Sequence, residues 1–189
     1  MSNHIVARLV WAAVGIIGLT SGALAQDFPT RPITLVVPYP AGGGADIIGR
    51  LLADSMKQQL GQPVVVTNRP GGQGTIGTAE VIRSRPDGYT LVLSAVATLT
   101  VQPHRQDLPY RTPDDYDPII KVANLPVVFA VLASAPWKTA KDAMEFIRAN
   151  PGKIRVGTPG NGSIGHLIVA SLNNKANVKF AHVPFASGA

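Results

Sequence analysis

Residues 33–46 read ITLVVPYPAGGGAD, an apolar run followed by a glycine-rich turn. The run Ile33–Val37 lies between Pro32 and Pro38, and its length and continuity indicate a strand that is buried on both faces. After the turn, apolar residues recur at helical spacing as far as Leu60. This strand–turn–helix unit is typical of a parallel sheet whose crossovers are helices.

The same unit recurs twice more along the chain. A strand at Val64–Thr67 leads into the glycine-rich residues 68–74 and a short helix, and a strand at Ile154–Gly157 leads into Thr158–Ser163 and another helix. The sequence also predicts strands at Thr90–Ser94, Ile119–Ala123, Val127–Leu132 and Val178–Val183, a long surface loop over 101–118, and a helix capped by Thr139. The repetition predicts an α/β fold with parallel strands.

Three glycine-rich turns therefore follow predicted parallel strands, at the sheet edge where ligands bind in open α/β folds. The N-terminus of a helix offers unpaired N–H groups and about half a positive charge. Glycine lets a ligand approach the backbone closely. Several such termini in one cleft can hold a small carboxylate, whereas the alternative is that the glycines only make tight turns between strand and helix.

Composition limits the chemistry of the chain. It has 189 residues and a formal net charge of +6, and the absence of cysteine excludes a disulfide scaffold, a zinc–thiolate site and a thiol nucleophile. All eleven acidic residues lie between Asp27 and Glu145, whereas residues 147–189 contain five Lys or Arg and no acid. This positive excess suits an anionic partner or indicates a missing acidic segment, and we favour the missing segment.

The first 25 residues are predicted to be an export signal. Arg8 precedes the apolar run Leu9–Leu19, and Ala23-Leu24-Ala25 is a cleavage site of the A-x-A type. The run is shorter than the ~20 apolar residues that a membrane-spanning helix needs. We therefore expect a periplasmic protein that is exported by a cleavable signal peptide.

Two motifs with known chemistry are incomplete. Gly72–Gly77 spells G-x-G-x-x-G, but no acid lies between Gly88 and Gln106, where a dinucleotide site needs one. Residues 161–165 approach the G-x-S-x-G nucleophile elbow, yet no acid follows Ser163. An exported serine hydrolase that uses Ser163 stays open as an alternative, as does a truncated remnant without function.

Six motifs, taken in order, resemble those of one known family. They are PTRPI at 29–33, VPYPAGGGAD at 37–46, NRPGGQG at 68–74, PDGYT at 86–90, GNGS at 160–163 with His166, and HVPF at 182–185. Together they resemble the Bug family of extracytoplasmic solute receptors, the substrate-binding proteins of tripartite tricarboxylate transporters. Gln73 departs from the family pattern, which commonly has a small residue at that position.

The resemblance implies a type II periplasmic-binding-protein fold, in which the ligand lies between two α/β domains. Residues 26–125 would form most of the parallel-sheet domain 1, and residues 126–189 would form part of domain 2. Family members run further, so we expect an incomplete domain 2 and a chain that is truncated at its C-terminus. Hinge closure near Asn124–Pro126 needs two complete domains, so weak or undetectable binding by this chain alone is expected.

The resemblance also implies the ligand and its contacts. The ligand is expected to be a dicarboxylate, a tricarboxylate or an acidic amino acid, and the partners are the membrane subunits of the transporter. We expect a monomer with no metal, cofactor, catalytic residue or nucleic acid. The implied ligand-binding residues are Pro40, Ala41, Gly42, Gly43, Gly44, Asp46, Gly72, Gly74, Thr75, Thr98, Thr158, Asn161, Gly162, Ser163, His166 and Phe185.

Overall fold

The computed structural model describes residues 27–185, so the predicted export signal lies outside the described residues. Within this range the strands are β1 (Ile33–Val37), β2 (Val64–Asn68), β3 (Thr90–Val92), β4 (Arg155–Thr158) and β5 (Ala181–Pro184). The α-helices are α1 (Gly44–Leu60), α2 (Thr75–Ile82), α3 (Val96–Thr100), α4 (Ala140–Ala149) and α5 (Ile164–Lys175), with short 3-10 helices at Gly72–Gly74 and Gln102–His104. The chain therefore has the predicted alternation of strands and helices.

The first sheet has the order β2–β1–β3, and β1 pairs in parallel with both neighbours. Leu35 lies opposite Val66 on one side and Leu91 on the other. Because both edges of β1 are paired, its apolar side chains form the centre of the core, and Val37 is fully buried. The predicted parallel arrangement is confirmed.

The second sheet is the parallel pair β4–β5, in which Val156 lies opposite His182. Helices α4 and α5 pack apolar side chains into a second core, formed by Ile147, Val169, Val178 and Phe180. Thr139 caps α4 as predicted: its hydroxyl accepts a hydrogen bond from the N–H of Asp142 at 3.1 Å.

The strands predicted at 119–123 and 127–132 are wrong. Both segments lack regular secondary structure, and their apolar side chains are exposed, with Ile119 at 78 % and Leu132 at 79 %. An apolar run forms a strand only where a neighbouring strand supplies hydrogen-bond partners. Among residues 27–185, no strand pairs with either segment.

Other differences are small. Helix α3 is absent from the sequence prediction because five residues are too few to show a helical period. The predicted surface loop over 101–118 begins as the 3-10 helix at Gln102–His104. No helix in the described part of the chain combines the length and the hydrophobicity that a bilayer crossing requires. The division into domains at residues 125 and 126 stays a prediction.

Candidate anion-binding site

The first glycine loop, residues 40–46, joins β1 to α1. Gly42 has a φ of +83°, which glycine adopts far more readily than other residues. Gly43 has a φ of −78°, and a Cβ added there would meet only the Pro40 carbonyl oxygen, at 3.6 Å. A Cβ added to Gly44 would meet no atom within 4 Å, and no side chain caps the N-terminus of α1. The local backbone therefore does not require glycine at 43 or 44.

Asp46 holds the first glycine loop in shape. Its carboxylate is buried and accepts hydrogen bonds from Arg50 Nε at 3.0 Å, from the N–H of Gly42 at 2.9 Å and from Asn68 Nδ2 at 3.0 Å. The Arg50 guanidinium and the other two donors hold the pKa of Asp46 well below its usual range. Asn68 ends β2, so this carboxylate also ties the first loop to the neighbouring strand. Direct contact of Asp46 with a ligand stays a prediction.

Thr98 holds the second glycine loop, residues 68–74, through a hydrogen bond to its backbone. The Thr98 hydroxyl donates to the carbonyl oxygen of Gln73 at 2.7 Å and lies 2.7 Å from the Tyr39 hydroxyl. A Cβ on Gly74 would lie 2.7 Å from Thr98 Oγ1, so glycine is needed there for close packing. Thr98 is fully buried, and its hydroxyl joins the second loop to Tyr39, the residue that precedes the first loop. A ligand contact by Thr98 stays a prediction.

The third glycine loop, residues 158–163, joins β4 to α5. The Ser163 hydroxyl accepts from the N–H of His166 at 3.2 Å and donates to the carbonyl oxygen of Gly160 at 2.8 Å. Ser163 is therefore the N-cap of α5, which leaves the N–H groups of Ile164 and Gly165 in the first helical turn without an intrahelical acceptor. Amides of this kind attract anions.

Two histidines stack beside the third glycine loop. The rings of His166 and His182 lie 4.3 Å apart between centroids, at 10° to one another. His166 Nδ1 accepts from the N–H of Gly162 at 3.0 Å, and His182 Nε2 lies 2.6 Å from the Thr158 hydroxyl. Burial, with the neighbouring His182 and Arg105, lowers the pKa of His166. Because Nδ1 accepts the hydrogen bond from Gly162, the neutral ring of His166 carries its proton on Nε2.

Two side chains from earlier in the sequence bridge to the third glycine loop. Gln73 Nε2 donates to the carbonyl oxygen of Pro159 at 3.2 Å, and Arg105 Nη1 donates to that of Asn161 at 3.1 Å. Gly160 and Gly162 both have positive φ, and a Cβ on either would collide with these side chains. The second and third loops therefore lie next to each other, and the first is tied to the second by the hydrogen bond from Asn68 to Asp46.

The structure thus brings the predicted loops together, as the hypothesis of a shared site requires. Phe185 also lies beside the third loop, where its N–H donates to the carbonyl oxygen of Thr158 at 2.9 Å. The predicted site residues in the three loops are Pro40, Ala41, Gly42, Gly43, Gly44, Asp46, Gly72, Gly74, Thr158, Asn161, Gly162 and Ser163. Thr75 opens α2, and its hydroxyl donates to the Gly72 carbonyl oxygen at 2.9 Å.

Sequence reasoning missed several residues that support the loops. They are Tyr39, Asn68, Gln102, Arg105 and His182. Tyr39, Asn68 and His182 stand inside the motifs that carry the resemblance, so those motifs were a usable signal. Gln102 and Arg105 lie in a segment without periodicity, and only the folded chain shows where they point.

The hydrolase alternative finds no support in this geometry. The Ser163 hydroxyl has the contacts of a helix cap, and His166 Nδ1 is occupied by the N–H of Gly162 instead of by that hydroxyl. A serine nucleophile needs a histidine nitrogen within hydrogen-bond reach of its oxygen.

Comparison with known proteins shows the family of the chain. Residues 48–189 match the family described as "Tripartite tricarboxylate transporter family receptor", or TctC. The chain belongs to the TctC family. A Cupriavidus necator relative, "UPF0065 protein in gbd 5'region", is 38 % identical over 97 % of this chain and 57 % of its own length. Bordetella pertussis "Protein BugT" is 32 % identical over 92 % of this chain and 55 % of its own length. The resemblance to the Bug receptors is confirmed.

Solved structures of periplasmic binding proteins match the fold of this TctC-family chain. MatC from Rhodopseudomonas palustris with bound malate has a TM-score of 0.71 at 29 % identity, and it matches 85 % of this chain and 55 % of that protein. An R. palustris protein with adipate has a TM-score of 0.79 at 30 % identity, over 85 % and 54 % of the two chains. The periplasmic-binding-protein-like fold is therefore confirmed. The chain spans about half the length of the relatives that it matches.

Proposed function

We propose that this chain binds a small organic anion with one or more carboxylate groups, as a periplasmic solute receptor of a tripartite tricarboxylate transporter. The observation that carries the proposal is the first glycine loop. Gly43 and Gly44 have conformations that other residues adopt, and space for a side chain is open at an uncapped helix N-terminus. Glycine there serves an approach to the backbone from outside, because the fold itself does not need it.

Family membership supports the ligand class. Two structural neighbours carry malate and adipate, both of which are dicarboxylates. The uncapped amides of α1 and the free amides of α5 are suited to such groups, since each helix terminus attracts negative charge by about 0.3–1 kcal/mol. Arg105 adds a positive charge beside the third loop, and no carboxylate of residues 27–185 pairs with it. Transport and not catalysis is the proposed role.

The test is a titration of the full chain followed by NMR. Malate, adipate, citrate and glutamate would be added to labelled protein, with adipamide as the neutral counterpart of adipate. Binding near 1 mM corresponds to about −4 kcal/mol, which chemical-shift titration detects easily. We expect the amides of Gly43, Gly44, Ile164 and Gly165 to shift with at least one carboxylate and not with adipamide. Equal shifts with adipamide, or shifts outside the three loops only, would contradict the proposal.

A further inference from the structure

Each carbonyl oxygen of residues 159–162 accepts a hydrogen bond. The four bonds are Gln73 Nε2 to Pro159 at 3.2 Å, Ser163 Oγ to Gly160 at 2.8 Å, Arg105 Nη1 to Asn161 at 3.1 Å and Gln102 Nε2 to Gly162 at 3.3 Å. Three of the four donors come from side chains that lie more than fifty residues earlier in the sequence. Side chains from an earlier part of the chain therefore hold the third glycine loop by hydrogen bonds to its carbonyl groups.

This pattern matters for an anion site because a peptide group has two ends of opposite sign. A loop that turns carbonyl oxygens toward a carboxylate repels it, whereas a loop that turns amides toward it attracts it. When all four carbonyls are bound, three of them by donors from outside the loop, the loop cannot rotate those oxygens into the site. The N–H groups of Gly160, Gly162 and Ser163 donate within the chain. The amides of Ile164 and Gly165, in the first turn of α5, remain for the anion.

We propose that Gln73, Gln102 and Arg105 are positioning residues of the anion site, which fix the carbonyl groups of the third glycine loop away from the bound carboxylate. This inference rests on the proposed function and adds which side chains prepare the site. None of the three needs to touch the ligand. Their common property is an N–H donor that reaches a backbone oxygen of the facing loop.

Gln73 supports the inference by its conformation. It has a φ of +56°, in the left-handed region that glycine favours, and glutamine rarely adopts it. The Thr98 hydroxyl holds this backbone by donating to the Gln73 carbonyl oxygen. In this conformation the side-chain amide of Gln73 reaches from the second glycine loop to the carbonyl oxygen of Pro159 in the third. Gln102 is 2 % exposed, so its amide is fixed in direction by packing.

The structural arm of the test measures carbonyl carbon shifts by NMR in the full chain without ligand. The variants are Gln73→Leu, Gln102→Leu and Arg105→Met, and Gln106→Leu is the matched control, because Gln106 is exposed and its side chain makes no hydrogen bond to the loop. We expect an upfield shift of one carbonyl carbon per variant: Pro159, Gly162 and Asn161 respectively. A loop that is merely loosened would move all of its resonances together, which would overturn the proposal.

The binding arm adds malate and adipate to the same proteins. Loss of one hydrogen bond that fixes the loop is expected to weaken binding about twofold to tenfold, and the Gln106→Leu control is expected to bind as the unmodified chain does. The hydrogen bonds of Gln73 and Arg105 to the loop are exposed, whereas that of Gln102 is buried. The variants of Gln73 and Arg105 therefore keep the test valid if Gln102→Leu fails to fold.

The outcomes separate this inference from the proposed function. If the unmodified chain binds and all three variants bind equally, the positioning role is wrong while the proposed function stands. If the one-to-one carbonyl shifts occur but no protein binds malate, adipate, citrate or glutamate, the proposed function is wrong and only the loop contacts remain. One-to-one shifts together with weaker binding support both.

Discussion

Replacing Gly44 by alanine separates the two explanations of the first glycine loop. If glycine at this position serves only a tight turn, a methyl group should strain the turn and destabilise the fold. The structure argues otherwise, because Gly44 lies in the first turn of α1 and an added Cβ would meet no atom within 4 Å. If the open space belongs to a ligand, the same methyl group should leave the fold intact and obstruct binding.

The two effects have opposite signs and can be given magnitudes. A Gly→Ala change at a compatible position stabilises a protein by about 0.4–1 kcal/mol through the unfolded chain, or roughly 1–4 °C in melting temperature for a chain of this size. A methyl group forced against a bound molecule costs about 1–3 kcal/mol, which corresponds to roughly fivefold to 150-fold weaker binding. Gly44→Ala should therefore give a more stable protein that binds dicarboxylates less well.

Thermal unfolding by circular dichroism and NMR titration with malate and adipate measure these effects. Gly42→Ala is the matched control in the same loop: its φ of +83° makes the methyl group cost about 1–2 kcal/mol in the backbone itself. If Gly44→Ala lowers the melting temperature as much as Gly42→Ala does, glycine at 44 serves the turn. If Gly44→Ala is stable and binds without loss, no ligand approaches the first loop.

Three further predictions concern stability. Thr139→Ala should lower the free energy of unfolding by about 1 kcal/mol in urea titration, because α4 loses its N-cap. Because the pKa of His166 is lowered in the fold, its contribution to stability is fully present above the unfolded pKa of about 6.5 and is lost as the pH falls from there through the lower folded pKa. His166→Gln should flatten this part of the pH profile of the melting temperature. Asp46→Asn should destabilise the chain at pH 7, and the difference from the unmodified chain should shrink in acid, since the lowered pKa of Asp46 stabilises the fold only while its carboxylate is charged. A constant difference down to the acid limit would contradict this role of Asp46.

Local patterns in the sequence were sufficient for much of the fold. The apolar run Ile33–Val37 and the glycines after it define a buried parallel strand and the start of a helix, and Thr139 with Asp142 defines a cap, because each of these signals acts within a few residues. Segments 119–123 and 127–132 show the limit of such patterns. They have the composition of strands, but a strand also needs a partner from elsewhere in the chain.

In the candidate site, too, the features that depend on local sequence were predictable and those that depend on tertiary contacts were not. The three glycine loops were predictable because turn chemistry is local. The bonds from Gln73, Gln102 and Arg105 to the third loop were not, since each depends on a tertiary contact over 56 to 86 positions of the chain. Gln73 did stand out as a departure from the family pattern. In the structure its side chain donates a hydrogen bond to the carbonyl oxygen of Pro159 in the third loop.

The two-sided pairing of β1 has a consequence for motion. Proteins open locally where few backbone hydrogen bonds and few buried contacts must be broken, and they open last at a strand that is paired on both edges. Deuterium should therefore enter β1 most slowly and residues 119–132 rapidly. Only Pro38 and Tyr39 separate β1 from the first glycine loop, so the start of this loop is anchored by the slowest-opening strand of the sheet. Under the proposed function, a solute that binds to this loop contacts a backbone that is already ordered. Little of the binding free energy is then spent on ordering the protein.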